Sequence, residues 1–110
     1  MRWLVWIVLC VGVVAWAPSA GAATMPVYQL QLKNHQFVPA TLKVPAGVKI
    51  KVQVTNHNPT PSEFESSDFN REKIVLPNST ITVFIGPLDK GTYHFFDDFH
   101  QSTKGVLVVE

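Results

Sequence analysis

Three residues near the C-terminus, Asp97, Asp98 and His100, have the types and spacing that could do chemistry. Side chains alternate along a strand, so an apolar strand that ends at Asp97 directs Asp97 and Asp98 to opposite faces. The valine-rich residues 105–109 predict a further strand beyond His100. Carboxylates and an imidazole in a loop between two strands could bind a metal ion or transfer a proton. The alternative is a turn aspartate beside a solvated histidine.

Two glutamates, Glu63 and Glu65, form a second candidate group. They flank Phe64 two residues apart, so they share a face if the segment is a strand. Either could complete an oxygen-rich site, and exposed carboxylates on an edge strand are the alternative. Asp98 could instead fix the tautomer of a histidine ligand. The charged residues 68–73 are more typical of a solvated helical turn than of a site.

The other histidines rank lower as candidate ligands. His35 and His57 lie in predicted loops without a partner at ligand spacing. His94 alternates with Phe96 along a predicted strand, where a lone histidine is more often structural.

Length and charge bound the class of protein. The chain has 110 residues, enough for one small domain with a two-layer core. Its formal net charge is +1, and it contains no long run or stripe of Lys and Arg. The electrostatic footprint of a nucleic-acid-binding protein is therefore missing, and we exclude that class.

The N-terminus has the pattern of a cleaved export signal. Arg2 precedes the apolar residues 4–16, and small residues at 20–22 offer a cleavage site. We predict a signal peptide over residues 1–22, a single domain over residues 23–110, a location in the periplasm, and no stable membrane anchor after cleavage. A retained anchor is the alternative, but the apolar run is shorter than the roughly 20 residues of a spanning helix.

Cleavage would also remove Cys10, the only cysteine of the chain. Lipidation of Cys10 is an alternative fate, although the residues before it lack the small residue that lipoprotein processing prefers. A processed chain without cysteine has no disulfide, no zinc–thiolate site and no cysteine nucleophile. Its metal ligands would not include a thiolate.

Alternating apolar and polar residues predict strands over 27–33, 48–54 and 80–85. Turn signals separate these segments, at residues 45–47, 56–61, 77–79 and 86–91. Helical periodicity is almost absent. The pattern predicts an all-β fold, an antiparallel β-sandwich or barrel.

A set of short motifs spans residues 28–110: FVP at 37–39, LKVPAG at 42–47, VTN at 54–56, GTYHF at 91–95, His100 and Gly105. Together they resemble the cupredoxin-like family, which implies a Greek-key antiparallel β-sandwich. In that family the final motif holds a cysteine ligand, a histidine three residues later and usually a methionine. The cysteine position matches Asp97 and the histidine position matches His100, but residues 102–104 contain no methionine. The upstream histidine ligand matches Ser62 or Glu63.

These differences from the family pattern change the expected metal chemistry. Blue-copper electron transfer needs a thiolate, so it is excluded. Carboxylate oxygens with an imidazole suit iron, manganese or Cu(II), and anionic oxygens favour ferric over ferrous iron. Our predicted metal ligands are Asp97, His100, Glu63, Glu65 and Asp98.

Three further motifs are EFES at 63–66, NREK at 70–73 and FDDFH at 96–100. Together they resemble the small cupredoxin-like component of bacterial ferrous-iron uptake systems. This resemblance implies a periplasmic protein that binds Fe(II) at the carboxylates and His100 and assists its oxidation to Fe(III), with a possible ferroxidase-like activity. It implies as partners a periplasmic iron-binding protein, an inner-membrane iron permease and a membrane electron-transfer protein. The alternatives are a periplasmic Cu(II)-binding module and a metal-free interaction scaffold.

Overall fold

The structure is a computed structural model, and it describes residues 24–110. The predicted signal peptide lies outside the described residues and stays a prediction. Within residues 24–110 all regular structure is β-strand, as the sequence predicts. No helix in this part of the chain is long and apolar enough to cross a membrane. The strands are β1 Val27–Lys33, β2 Gln36–Val38, β3 Thr41–Val44, β4 Ile50–Asn56, β5 Ser62–Ser66, β6 Arg71–Val75, β7 Thr80–Ile85, β8 Gly91–Asp97 and β9 His100–Val109.

The strands form two packed sheets, which confirms the predicted sandwich. Sheet A has the order β2-β1-β4-β7, and sheet B has the order β3-β9-β8-β5-β6. The expectation of purely antiparallel sheets is corrected, because β1 pairs parallel to β4 and β3 pairs parallel to β9. Parallel neighbours need a long crossover connection. Between β1 and β4 the chain supplies it by passing through β3 in the other sheet.

Alternation along the strands builds the core. In β4, Ile50, Val52 and Val54 are buried while the residues between them are partly exposed. Three phenylalanine rings fill the middle of the sandwich: Phe95 lies 4.9 Å from Phe37 and 5.3 Å from Phe64 between ring centroids. Phe69 packs on the far side of Phe64. These apolar side chains supply most of the area removed from water on folding.

Gly105 of β9 leaves room for the aromatic ring of its neighbour on β8. It pairs with Phe95 of β8, and the Phe95 ring lies over it. A Cβ atom at position 105 would overlap the Cε2 and Cζ atoms of that ring. Only glycine fits this position without moving the core.

The helical turn predicted for residues 68–73 is wrong. Residues 67–70 form a turn, and β6 begins at Arg71. Asn70 has a left-handed φ of 56°, which asparagine tolerates better than most residues and which reverses the chain into a hairpin. The Oδ2 atom of Asp68 accepts hydrogen bonds from the backbone N–H and the ring Nδ1 of His94.

The edge strands β6 and β7 lie beside one another across the open side of the sandwich. Arg71 donates from Nε to the carbonyl oxygen of Phe84 at 2.7 Å, and Lys73 donates from Nζ to that of Thr82 at 3.0 Å. Side chains of one sheet therefore bond the edge carbonyls of the other sheet. This arrangement covers polar groups that an edge strand otherwise exposes.

Candidate metal centre

The β8–β9 hairpin brings Asp97 and His100 together. The two residues pair across the hairpin, and only Asp98 and Phe99 lie between the strands. The sequence predicted a longer loop, with β9 beginning near Gly105. The strand β9 instead begins at His100. Its register shifts near this end, because Phe96 pairs with Lys104 whereas Asp97 pairs with His100. Extra residues of β9 therefore lie opposite a single step along β8. Such irregularities are common beside functional sites because they redirect side chains.

Asp97 is fully buried and uses both carboxylate oxygens inside the protein. Its Oδ1 accepts from the backbone N–H groups of Glu63 and Phe99, each at 3.0 Å. Its Oδ2 lies 3.1 Å from Nδ1 of His100. A carboxylate bonded in this way fixes β5 to the hairpin and orients the imidazole so that Nε2 is the nitrogen left for a ligand.

His35 packs against His100, which the sequence did not reveal. The ring centroids are 4.4 Å apart, and His35 is exposed. Its carbonyl oxygen accepts from Thr103 Oγ1 at 2.5 Å, and its backbone N–H donates to Asn58 Oδ1 at 3.3 Å. His35 lies 65 positions before His100 in the chain. The packing of sheet A against sheet B brings the two imidazoles together.

Three glutamates converge on the outer face of sheet B. Glu65 of β5 pairs directly with Glu72 of β6, and Glu63 is two residues from Glu65 on the same face. One carboxylate oxygen of each lies within 4.8 Å of the others. Glu63 is only 8% exposed, so this group is partly withdrawn from water. We call Glu63, Glu65, Glu72 and the neighbouring Asp98 the acidic cluster.

Asp98 interacts with the glutamates through a backbone hydrogen bond and through the repulsion of its negative charge. Its N–H donates to the carbonyl oxygen of Glu63 at 2.9 Å. Partial burial raises the pKa of Glu63, and the carboxylates of Glu72, Asp98 and Glu65 raise it further. Partial burial is also the largest cause that raises the pKa of Glu65. The charges of Asp98 and Glu72 and a hydrogen bond to Asp98 raise it further. Crowded carboxylates with raised pKa values are common at metal and catalytic sites.

The five predicted ligands therefore fall into two neighbouring groups. Glu63, Glu65 and Asp98 belong to the acidic cluster outside sheet B. Asp97 and His100 pair with each other at the end of the hairpin, and Asp97 points to the buried side. The structure adds Glu72 to the first group and His35 to the second.

The chain belongs to the cupredoxin-like family, since the model of the cupredoxin-like domain matches residues 4–109. A curated relative is the uncharacterized protein RP394 of Rickettsia prowazekii (strain Madrid E). It is 43% identical over 82 residues, which cover 74% of this chain and 66% of the relative. The match thus spans slightly less than two thirds of the relative's length.

Solved structures share the fold. One is the metal-binding domain of the Cu(I)-exporting P-type ATPase CopA of Streptococcus pneumoniae D39, solved with Cu(I). It matches with a TM-score of 0.70 and 14% identity, and the match covers 76% of this chain and 84% of that chain. A purple cupredoxin from Nitrosopumilus maritimus matches with a TM-score of 0.60 and 19% identity, covering 76% and 99%. A reduced amicyanin mutant has a TM-score of 0.61 at 18% identity, covering 81% and 85%. At these identities the likeness shows the architecture.

The residues at the hairpin do not fit a copper–thiolate centre. Asp97 matches the family's cysteine position, and both of its oxygens are already bonded within the protein. The only cysteine of the chain is Cys10, outside the described residues. Electron transfer through a copper–thiolate bond is therefore not a function of this arrangement.

Proposed function

We propose that this protein binds Fe(II) as cargo at the acidic cluster and assists its oxidation to Fe(III) before uptake through a membrane permease. The observation that carries the proposal is the convergence of Glu63, Glu65 and Glu72, with carboxylate oxygens within 4.8 Å of one another. Asp98 adds a fourth anionic group next to them. Sites built of carboxylate oxygen suit hard cations.

The charge of the acidic cluster supplies the driving force for oxidation. Like charges held close together repel, and a bound cation relieves that repulsion. A trivalent ion relieves it more than a divalent ion does, so the cluster binds Fe(III) more tightly and makes Fe(II) easier to oxidise. Each Fe(II) loses one electron, to dioxygen in the ferroxidase-like form or to a membrane electron-transfer protein. Protons shared among the carboxylates leave when the metal binds.

The partners and the location are part of the same proposal. A domain exported to the periplasm would pass Fe(III) to a periplasmic iron-binding protein and then to an inner-membrane permease. The cluster lies on the outer face of a sheet and not in an enclosed cavity, so a partner's ligands can reach the ion. Open access of this kind suits transfer of a metal more than permanent storage.

Anaerobic calorimetric titration with Fe(II), repeated with Fe(III) citrate, tests the proposal. The variant Glu65→Gln/Glu72→Gln should bind Fe(III) at least about tenfold more weakly than the wild type, because it loses two anionic ligands. The control Asp89→Asn/Glu110→Gln removes two exposed acidic charges elsewhere and should bind as the wild type does. Equal binding by both variants, or no saturable iron binding by the wild type, would refute iron handling at this cluster.

A second candidate is a Cu(II)-binding module, and the imidazole pair favours it. His100 and His35 lie together, and the buried Asp97 holds His100 with Nε2 available. Imidazole is a good ligand for Cu(II), which binds most nitrogen and oxygen sites more tightly than Fe(II) does. Electron paramagnetic resonance of the Cu(II)-loaded protein would then show nitrogen coupling that His35→Ala and His100→Ala reduce. His57→Ala, at an exposed histidine outside the pair, is the matched control.

A further inference from the structure

Four cationic side chains gather at β7, two over the exposed ring of Phe84 and two at backbone carbonyls of the strand. The Nζ atoms of Lys49 and Lys51 lie 5.3 and 5.6 Å from the ring centroid of Phe84. Arg71 donates to the carbonyl oxygen of Phe84, and Lys73 donates to another carbonyl of the same strand. Phe84 itself is 41% exposed. We call these five residues the basic patch.

The positive charge of the basic patch is not neutralised within the described residues. Every salt bridge of residues 24–110 joins a histidine to an aspartate, so no lysine or arginine there pairs with a carboxylate. The chain has nine Lys and Arg residues, and Arg2 lies in the predicted signal peptide. Half of the remaining eight are in the basic patch. A concentration of unpaired charge of one sign attracts an anionic surface.

The chain enters the domain beside the basic patch. The N–H of Lys51 donates to the carbonyl oxygen of Pro26 at 2.9 Å, and Val27 pairs with Lys51 across the sheet. Lys49 lines a small hollow together with Thr24 and Met25. Seven residues, 17–23, separate this point from the apolar residues 4–16. Seven residues reach at most about 25 Å. In the precursor, before the predicted cleavage, the basic patch is therefore held close to the point where the apolar run would enter a bilayer.

We propose that the basic patch docks the domain reversibly on an anionic phospholipid surface. Lys49, Lys51, Arg71 and Lys73 would contact lipid phosphates, and the Phe84 ring would enter the boundary between head groups and acyl chains. An added peptide strand is a poorer occupant, because Arg71 and Lys73 already bond carbonyls of this edge. The proposal stands independently of the metal bound.

Docking through this patch would leave the metal site accessible. Lys49, Lys51 and Phe84 lie on the outer face of sheet A, and Arg71 and Lys73 extend from β6 of sheet B to the β7 edge. The acidic cluster lies on the outer face of sheet B, and its Glu72 stands between Arg71 and Lys73 in β6. Lipid in contact with the outer face of sheet A and the β7 edge would leave the outer face of sheet B, with the acidic cluster, open to soluble partners.

Vesicle co-sedimentation of the processed protein recovered after export tests this inference. The wild type should bind vesicles of equal parts phosphatidylglycerol and phosphatidylcholine, and should not bind pure phosphatidylcholine. Each basic residue near an anionic bilayer contributes about fivefold in binding, so Lys49→Glu/Lys51→Glu should weaken binding at least about tenfold. Lys43→Glu/Lys104→Glu changes net charge equally at exposed positions outside the patch, and should stay within about threefold of the wild type.

Two further measurements separate docking from general charge effects. Phe84→Ala should weaken binding several-fold, whereas Phe99→Ala, at another exposed phenylalanine, should not. Binding should disappear in about 0.5 M salt, where exposed charges are screened. Equal losses in the two lysine reversals would overturn the proposal. So would a wild type that ignores phosphatidylglycerol, even if it bound an acidic protein instead.

Discussion

The carboxylates of Glu63 and Glu65 titrate in a way that links metal binding to folding. Their pKa values are raised from the ordinary 4.5 by partial burial and by neighbouring negative charge. A raised acid pKa contributes stability that is fully present below the unfolded pKa and is lost as pH rises through the folded pKa. The metal-free acidic cluster therefore opposes folding at neutral pH. A bound cation would remove that opposition.

Replacing Glu72 by glutamine should stabilise the metal-free protein at neutral pH. Glu72 raises the pKa of both partners, so its neutral isostere removes repulsion that exists only when the cluster is ionised. Thermal unfolding should show a higher Tm for Glu72→Gln at pH 7 and a smaller difference at pH 4. The same variant should gain less Tm than the wild type when Fe(III) citrate is added.

Asp89→Asn is the control for this prediction, since it removes an exposed acidic charge outside the cluster. It should change Tm little at either pH. A Glu72→Gln protein that is less stable than the wild type at pH 7 would contradict the assigned repulsion.

The sequence indicated some of these residues and not others for clear reasons. Glu63 and Glu65 share a face through local alternation, which is readable from sequence. Glu72 joins them only through the register of β5 with β6. That register depends on the turn before β6, where Asn70 has a left-handed φ. The sequence predicted a helical turn at these residues instead. The seven-residue spacing from Glu65 to Glu72 around a turn was the signal that could have revealed the hairpin.

At the level of elements, strand alternation was predictable and strand pairing was not. The buried faces of β4 and β7 follow directly from their apolar periodicity. The parallel pairs β1–β4 and β3–β9 join segments that are distant in sequence, and periodicity carries no information on which distant strands meet. The same limit concealed the contact of His35 with His100.

Gly105→Ala should destabilise the fold by about 1–3 kcal/mol, because the new methyl group overlaps the buried Phe95 ring and forces the core to shift. Urea unfolding measures the change, with Ser102→Ala in the same strand as the control. For a domain of this size the Tm should fall by roughly 4–8 °C per kcal/mol.

A double variant separates overlap from other effects of alanine at this position. Gly105→Ala/Phe95→Leu removes part of the ring that the methyl group meets. Its free energy of unfolding should exceed the value expected from adding the two single losses. Simple additivity of the two losses would show that the ring is not what glycine accommodates.

Across the whole molecule, the acidic cluster and the basic patch occupy different places on the sandwich. The acidic cluster lies outside sheet B, whereas the basic patch lies outside sheet A and along the β7 edge. The formal net charge of +1 conceals this separation. One side thus suits a cation and the other suits an anionic surface, although composition alone predicted neither.

Loading the processed protein with Cu(II) should give no intense visible band. Such a band arises from copper–thiolate bonding, and the cysteine position of the family is Asp97 in this chain. Absorption spectroscopy at increasing Cu(II) checks this, with a copper-loaded cupredoxin as the positive control. An intense band near that of the control would mean that Cys10, the only cysteine of the chain, is retained and binds the copper.

The phenylalanine cluster limits where electrons can travel. Every ring that packs on Phe64 in the described residues belongs to another phenylalanine: Phe37, Phe69 and Phe95. Phenylalanine is not oxidised at biological potentials, unlike tyrosine or tryptophan. The rings that pack on Phe64 therefore offer no site that an electron from the acidic cluster could occupy. The shortest route for that electron is direct contact of an oxidant with the ion or its carboxylates on the solvent side.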